Sequence, residues 1–217
     1  MREMIAVVDY GMGNLRSVAK ALQHVAPQAS IVVTGDPQTI RGAERVVFPG
    51  QGAMPDCMRE LETRGLREAV TDAARTRPFL GLCIGLQMLF EHSEEGDTRG
   101  LGLLPGKVKR FPRDGMLDAQ GGRLKVPHMG WNEVEQSVDP QRIHPLWQGI
   151  PQRARFYFVH SYYVETGDAQ LPCATTDYAF RFTCAVAKDN IFAVQFHPEK
   201  SQTAGLTLLS NFMQWRV

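Results

Sequence analysis

The strongest chemical signal in the sequence is Cys83, which stands between two glycines in the run 81–85 (Gly-Leu-Cys-Ile-Gly). The apolar run 79–82 precedes it, and residues 86–90 follow with the spacing of an amphipathic helix. A sharp strand-to-helix turn of this kind lifts a side chain out of a sheet, and a helix N-terminus favours a thiolate over a thiol. The run predicts a nucleophilic cysteine, with a buried structural cysteine as the alternative.

A candidate base and a candidate carboxylate stand two residues apart, at His197 and Glu199, just after the apolar run 191–196. Pro198 fixes its own φ and so stiffens the link between them. A carboxylate beside an imidazole selects its tautomer and stabilises the imidazolium that forms when the ring accepts a thiol proton. An exposed strand end with a solvated carboxylate is the alternative at this stage.

A glycine-rich turn, residues 48–54 (Phe-Pro-Gly-Gln-Gly-Ala-Met), leaves another predicted strand at the same edge of the sheet. Glycines leave backbone N–H groups free to point at an oxygen. Together with the N–H of Ile84, the turn at Gly50 and Gln51 could form an oxyanion hole. A tight β-α turn without such a role is the alternative.

Composition excludes several other classes of protein. The 217 residues include 24 Lys and Arg and 23 Asp and Glu, so the net charge indicates neither a nucleic-acid-binding surface nor an acidic tail. The four cysteines include no C-x-x-C pair, which argues against a structural zinc site. We expect no membrane span, because no run approaches the roughly 18 apolar residues required. Without a recognisable secretory leader, a cytoplasmic location is expected.

The elements that must position these residues follow from hydrophobic periodicity. Strands are predicted at 4–9, 30–33, 44–48 and 79–82, with a helix from Leu15 to Val25 and a helical surface layer from about 56 to 75. After Gly96 the pattern turns to short strands at 107–111, 155–159, 182–187 and 191–196, followed by a terminal helix. We expect one α/β domain over 1–217, with a mixed, mainly parallel sheet flanked by helices and a more antiparallel second half.

Taken together, the three runs described above resemble the motifs of one enzyme family. Residues 48–52, 81–87 and 196–199 resemble the oxyanion strand, nucleophile elbow and His-Glu pair of the class I (triad) glutamine amidotransferases. That family hydrolyses the side-chain amide of glutamine through a cysteinyl thioester and releases ammonia to a synthase. The resemblance implies a flavodoxin-like fold.

By that resemblance Cys83 is the nucleophile, His197 is the general base and then the acid, and Glu199 orients the imidazole. Glutamine is the implied substrate, and no cofactor or metal is required. The residues implied to bind glutamine are Gly52, Gln87, Glu95, Ser161 and Tyr162. For Glu95, a solvated surface carboxylate remains an alternative, and Cys57, Cys173 and Cys184 are expected to be ordinary packing residues.

Four further runs, 9–15, 127–132, 157–163 and 197–201, resemble one branch of the family, whose members pair with a synthase (cyclase) subunit of the (β/α)8-barrel type as a heterodimer. Tyr10, Asn14, Trp131 and Tyr163 are the implied partner-facing residues. Gln51 departs from the family pattern, in which an aliphatic residue is expected. Since a glycine-flanked turn can hold its peptide in two orientations, the isolated chain is predicted to be a poor glutaminase that its partner activates.

The sequence leaves several alternative functions open. A stand-alone cysteine hydrolase of related fold, such as a γ-glutamyl peptidase, would need no partner, and a sibling amidotransferase subunit would serve another synthase. A catalytically silent binding module would lack the base. The run Gly11-Met12-Gly13-Asn14 also suggests dinucleotide binding, but Arg16 occupies the third glycine position and no acidic residue ends a second strand, so this alternative is weak.

Overall fold

Short apolar strands alternate with amphipathic helices through the first part of the chain, as the sequence pattern predicts. The computed structural model describes residues 3–118, 120–137 and 143–217. In these ranges the strands are β1 (Met4–Val8), β2 (Ser30–Thr34), β3 (Arg45–Phe48), β4 (Phe79–Leu82), β5 (Phe90–Ser93), β6 (Thr98–Arg99), β7 (Leu104–Arg110), β8 (His128–Gln136), β9 (Ala154–His160), β10 (Tyr162–Thr166), β11 (Pro172–Tyr178), β12 (Phe180–Lys188) and β13 (Ile191–Val194). The helices are α1 (Leu15–Val25), α2 (Pro37–Gly42), α3 (Met54–Thr63), α4 (Arg67–Thr76), α5 (Ile84–Gln87) and α6 (Gln202–Gln214).

The strands form one mixed sheet in the order β2-β1-β3-β4-β13-β12-β10-β7-β5-β6. The pairs from β2 to β13 are all parallel, whereas β12 runs antiparallel to both β13 and β10. Strands β11, β8 and β9 extend from β12 as an antiparallel branch. The predicted α/β class, with parallel units first and a more antiparallel second half, is confirmed.

Two hydrophobic layers cover the two faces of the parallel strands, because successive side chains of a strand point to opposite faces. Ile5 and Val7 of β1 pack in the layer of α1 and α6. Ala6 and Val8 of the same strand pack in the layer of α2, α3 and α4. The carboxyl ends of the strands are thereby left as the open edge where loops meet.

The helical layer predicted over about 56–75 is formed by two helices, α3 and α4. Gly65 adopts φ +66° between them, and its N–H donates to the Glu62 carbonyl while the Leu66 N–H donates to the Leu61 carbonyl. A glycine in the left-handed region is a common helix stop, since it carries no Cβ to strain.

The amphipathic helix predicted over 86–90 is shorter than expected. Helix α5 is a single turn, and Phe90 already begins β5, where it pairs with Leu104 of β7. Leu89 and Phe90 are both fully buried. A short apolar run that is buried on every side is compatible with either helix or strand periodicity, which is why the pattern misled.

None of the helices within the described residues is long and apolar enough to cross a membrane.

Candidate active site

Three neighbouring parallel strands deliver the chemical residues to one edge of the sheet. In the register, Phe48 of β3 lies beside Gly81 of β4, and Leu82 of β4 lies beside Val194 of β13. The glycine-rich turn, Cys83 and His197 therefore leave the sheet at adjacent strand ends. The loops beyond the carboxyl ends of parallel strands are the usual place for a site in such folds.

Cys83 occupies a strained elbow between β4 and α5. Its backbone has φ 55° and ψ −111°, outside the region that residues with a Cβ usually occupy, and its N–H donates to the Val194 carbonyl at 2.8 Å. Strain of this kind costs on the order of 1–3 kcal/mol and persists where the surroundings impose it. Gly85 is one such constraint, because a Cβ there would overlap the carbonyl of Phe48 in the neighbouring strand.

His197 and Glu199 form a buried pair directly beside the elbow. The imidazole Nδ1 lies 2.9 Å from Oε1 of Glu199, and their side chains are 7% and 2% exposed. Burial by itself lowers the pKa of His197, but the charge and hydrogen bond of the Cys83 thiolate and the Glu199 carboxylate outweigh it and raise that pKa to about 10. The arrangement favours the imidazolium form of His197 beside Cys83.

The backbone around His197 is held by a serine. The His197 N–H donates to the Tyr157 carbonyl at 2.9 Å, the Ser201 hydroxyl donates to the His197 carbonyl at 2.6 Å, and the Tyr157 N–H donates to the Ser201 hydroxyl at 3.0 Å. Strand β9 and the turn after β13 are thus fastened together.

The glycine-rich turn is anchored from behind. The Gln51 carbonyl faces the thiol of Cys57 on α3, with the sulfur 3.7 Å from the oxygen. In a trans peptide the N–H of Gly52 points the opposite way from that carbonyl. Gly50 differs from the expectation for an oxyanion donor, because it is buried and does not line the cavity at Cys83; a Cβ there would overlap Ile84 and the Tyr10 hydroxyl.

A cavity of about 270 Å³ opens at the elbow. This volume lies below the roughly 300–1,000 Å³ of sites for drug-sized ligands, so it suits a small substrate. Its lining brings together nine residues singled out in the sequence: Gln51, Gly52, Cys83, Ile84, Gln87, Glu95, Ser161, Tyr162 and His197. Glu199 stands behind His197 rather than on the cavity wall.

Glu95 is not a freely solvated carboxylate. It is partly buried, lines the cavity, and accepts a hydrogen bond from the Met54 N–H at the first turn of α3 at 2.8 Å. The carboxylate therefore places a negative charge at the cavity mouth, where it can meet a cation. In the described ranges, no group of three or more His, Cys, Asp and Glu is arranged to hold a metal ion.

Sequence reasoning missed Gln195, a fully buried residue of the site. Its Nε2 lies 3.7 Å from the Cys83 sulfur, and its Oε1 accepts a hydrogen bond from Nε2 of Gln87 at 3.0 Å. The available signal was its position as the one polar residue in the apolar run 191–196. Pro127, Val159 and His160 also line the cavity and were not singled out for it.

The candidate partner-facing residues separate into two groups. Tyr10 is fully buried against Phe48, so the prediction that it faces a partner is corrected: its side chain has no exposed surface to offer. Trp131 is 40% exposed on β8, whereas Asn14 and Tyr163 are half-buried. Tyr163 packs against the Phe111 and Phe180 rings.

The loop at 11–14 is occupied by contacts of its own and gives the dinucleotide alternative no support. A Cβ on Gly11 would overlap the Arg64 guanidinium, and one on Gly52 would press on the methyl end of Met12. Asp36, the acidic residue nearest the end of β2, accepts hydrogen bonds from Gln38 and Thr39 as the cap of α2. The loop instead packs against the glycine-rich turn.

Comparison with known proteins agrees with this geometry. The family model described as "Glutamine amidotransferase class-I" matches residues 6–215. A protein of Nitrosospira multiformis, "Imidazole glycerol phosphate synthase subunit HisH", is 68% identical over 212 residues, which cover 98% of each chain. A protein of Aromatoleum aromaticum with the same description is 65% identical over 211 residues, 97% of this chain and 98% of that one. The structure titled "Structure of PurLQS from Thermotoga maritima" matches over 99% of each chain with a TM-score of 0.71 at 17% identity, a likeness of fold.

Proposed function

The chain belongs to the class I glutamine amidotransferases, and from that premise we propose that it is the glutaminase subunit of an imidazole glycerol phosphate synthase. It hydrolyses glutamine to glutamate and ammonia, and it passes the ammonia to a synthase subunit of the (β/α)8-barrel type. The observation that carries the proposal is the meeting of Cys83, His197 and the glycine-rich turn at three adjacent strand ends. A cytoplasmic location and a single amidotransferase domain over 1–217 are part of the proposal.

The proposed reaction begins with attack of the Cys83 thiolate on the side-chain amide carbon of glutamine. Negative charge then develops on the carbonyl oxygen, and we assign its stabilisation to the N–H of Ile84 together with an N–H of the turn at Gln51 and Gly52, which must point into the cavity. The protonated His197 gives its proton to the leaving nitrogen, so ammonia departs and a thioester remains. A water molecule, deprotonated by the same imidazole, hydrolyses the thioester to glutamate and restores the thiolate.

Glu199 and the cavity wall have separate tasks in this scheme. Glu199 holds Nδ1 of His197, which leaves Nε2 for the proton transfers. The Glu95 carboxylate pairs with the α-ammonium of glutamine, and Gln87 and the backbone at Ser161 and Tyr162 hold the rest of the substrate.

Exposed apolar side chains support a partner on the β8 side of the molecule. Met129 and Trp131 are 61% and 40% exposed on the same face of this strand, and Leu117 nearby is 50% exposed. The Trp131 ring packs edge-on against Tyr157, whose carbonyl accepts the His197 N–H. A partner that covers this patch lies within two contacts of the catalytic imidazole, which suits both activation and the capture of ammonia.

The deciding experiment measures glutamate release by the full chain alone, with the synthase subunit, and with the synthase subunit plus its nucleotide substrate. We expect low activity alone and a rise of at least about 10² in the full assembly, the usual worth of one oxyanion donor. Cys83→Ala should abolish glutamine-dependent synthesis and preserve synthesis from added ammonia. Equal loss with both nitrogen sources would contradict the assigned division of labour.

The same experiment separates the alternatives. Full glutaminase activity in the chain alone, unchanged by the partner, would favour a stand-alone cysteine hydrolase. Activation by a synthase subunit other than the imidazole glycerol phosphate enzyme would indicate a sibling amidotransferase.

A further inference from the structure

Two buried histidines beside the cavity take no part in the proposed reaction. His160 lines the cavity, and its Nε2 lies 2.9 Å from Nδ1 of His128. The two residues are 6% and 3% exposed. Buried polar groups persist where hydrogen bonds satisfy them, so the partners of each ring nitrogen decide what the pair does.

Aromatic packing keeps both imidazoles neutral. The His128 ring is stacked between Tyr178, at 4.0 Å between centroids, and Phe158, at 4.8 Å. Burial lowers the pKa of His128 to about 4, and burial together with the neighbouring His128 lowers that of His160 to about 3. Each ring therefore carries one proton near neutral pH, on one nitrogen only.

The position of each proton follows from the hydrogen bonds. His160 Nδ1 lies 2.7 Å from the Tyr162 carbonyl, which only accepts, so Nδ1 carries the proton and Nε2 is bare. The bare Nε2 must accept from His128, so Nδ1 of His128 also carries its proton. Nε2 of His128 is then an acceptor.

At the His128 end of this hydrogen-bond network, Asn132 independently indicates the same tautomer of His128. Asn132 Nδ2 lies 3.3 Å from Nε2 of His128, and the amide direction of Asn132 is fixed by two other bonds. Its Nδ2 donates to the Asp177 carbonyl at 2.8 Å, and its Oδ1 accepts from the Glu133 N–H at 2.8 Å. Asn132 thus presents a donor to the one imidazole nitrogen that needs one.

At the His160 end, the network reaches residues of the substrate-binding cavity. The Tyr162 carbonyl accepts a second hydrogen bond, from Nε2 of Gln87 at 3.1 Å, and its two lone pairs are then filled. The same Nε2 also donates to Oε1 of Gln195. Among the described residues, Oε1 of Gln87 has no hydrogen bond and is the atom left for a ligand.

We propose that His128 and His160 are positioning residues, a tautomer-locked pair that fixes the Tyr162 carbonyl and, through it, the glutamine-binding orientation of Gln87. The role rests on the proposed glutaminase activity. The pair transfers no proton in the reaction. It holds Gln87 in its binding orientation before glutamine arrives, which reduces the conformational entropy lost on binding. Loss of the bond to Tyr162 therefore weakens substrate binding more than it slows the chemical step.

Two variants of His160 test its two ring nitrogens separately. In H160N the amide nitrogen stands in the place of Nδ1 and still donates to Tyr162, whereas H160Q places its amide at Nε2 and loses that donor. With the synthase subunit present, we expect H160Q to raise the KM for glutamine about tenfold, the worth of one hydrogen bond, with kcat lowered less than about threefold. H160N should recover most of that loss.

His24, an exposed residue of α1, supplies the matched control, and H24Q should behave as the wild type. Adding H128F, which preserves the stacking, to H160Q should raise KM no further, because the bond to Tyr162 is already lost. Equal KM values in H160N and H160Q, or a wild-type KM in H160Q, would overturn the positioning role.

A second experiment measures the imidazole tautomers directly in the wild-type chain and does not depend on enzyme activity. Long-range ¹⁵N–¹H spectra of the full chain at pH 7 should show both imidazoles neutral and protonated at Nδ1, the less common tautomer. A proton on Nε2 of either ring would overturn the proposed lock even if a variant failed to fold. Absence of glutaminase activity in the wild-type complex would instead contradict the proposed function.

Discussion

The side-chain amide of Gln195 lies 3.7 Å from the sulfur of Cys83, although the two residues are 112 positions apart in the chain. The contact arises because β13 and β4 are parallel neighbours, with Val194 beside Leu82 at the point where each strand ends. Gln195 is fully buried, and its Oε1 is held by Gln87, so Nε2 is turned toward the nucleophile. A fixed N–H donor beside the sulfur stabilises a thiolate.

Replacing Gln195 by Glu should lower the reactivity of Cys83. The isosteric carboxyl places an acceptor oxygen where the donor stood, which disfavours negative charge on the sulfur. We expect the rate of alkylation by iodoacetamide at pH 7 to fall at least about tenfold, with the adduct located by mass spectrometry. The exposed Gln214→Glu is the control, and an unchanged rate in Gln195→Glu would show that the amide does not support the thiolate.

The pKa of His197 should fall when Cys83 is replaced by Ala. The thiolate raises that pKa by its charge and by a hydrogen bond, while burial opposes it, so removing the sulfur leaves only Glu199 to oppose burial. An NMR titration should place the wild-type imidazole near pH 10 and the variant at lower pH. His144, whose pKa burial lowers to about 4, should titrate identically in both proteins. Identical His197 titrations would mean that no imidazolium-thiolate pair forms.

Loss of His197 should cost far more turnover than loss of its orienting carboxylate. Without the imidazole no group moves the proton, a contribution of about 10²–10⁴ in general acid-base catalysis, whereas Glu199→Gln keeps a hydrogen-bonding group beside Nδ1. Turnover of His197→Ala and Glu199→Gln in the full assembly tests this order. If His197→Ala kept most of its turnover at neutral pH, another group would be the base.

Replacing Trp131 by Ala should weaken association with the synthase subunit by about 30-fold or more. Partly exposed tryptophans in an apolar patch are typical sites of concentrated binding energy. The dissociation constant can be measured by titration calorimetry, with thermal unfolding of the isolated chain as a check on its integrity. Val33→Ala, at a similarly exposed apolar residue on the edge strand β2, outside the branch that contains β8, should bind as the wild type. Wild-type affinity in Trp131→Ala would remove β8 from the interface.

Gly85→Ala should destabilise the fold, since its Cβ would overlap the Phe48 carbonyl, a backbone atom of a central strand. Overpacking a core typically costs about 1–3 kcal/mol, and a fixed backbone atom places this change at or above the upper end. Urea unfolding measures the free energy. Gly42→Ala, whose Cβ would meet only the end of Met4 at 3.8 Å, should unfold as the wild type does.

Much of the fold and the core of the candidate site could be predicted from the sequence, because the signals are local. The glycines around Cys83 and the spacing of His197 and Glu199 belong to single short runs, and the two-residue spacing alone allows the 2.9 Å contact. Hydrophobic periodicity indicated α1 with its observed bounds and the change from parallel to antiparallel strands after residue 96. Periodicity failed at residues 86–90, where burial on every side hides the period.

Tertiary structure alone decided which distant residues meet. Strand register brings Gln195 to Cys83, and antiparallel pairing of β8 with β9 places His128 opposite His160. Packing against Phe48 buries Tyr10, which the family resemblance had implied to face a partner. A residue type and its spacing determine what chemistry a short run can do, but hydrogen bonds between strands far apart in sequence depend on a register that no local pattern specifies.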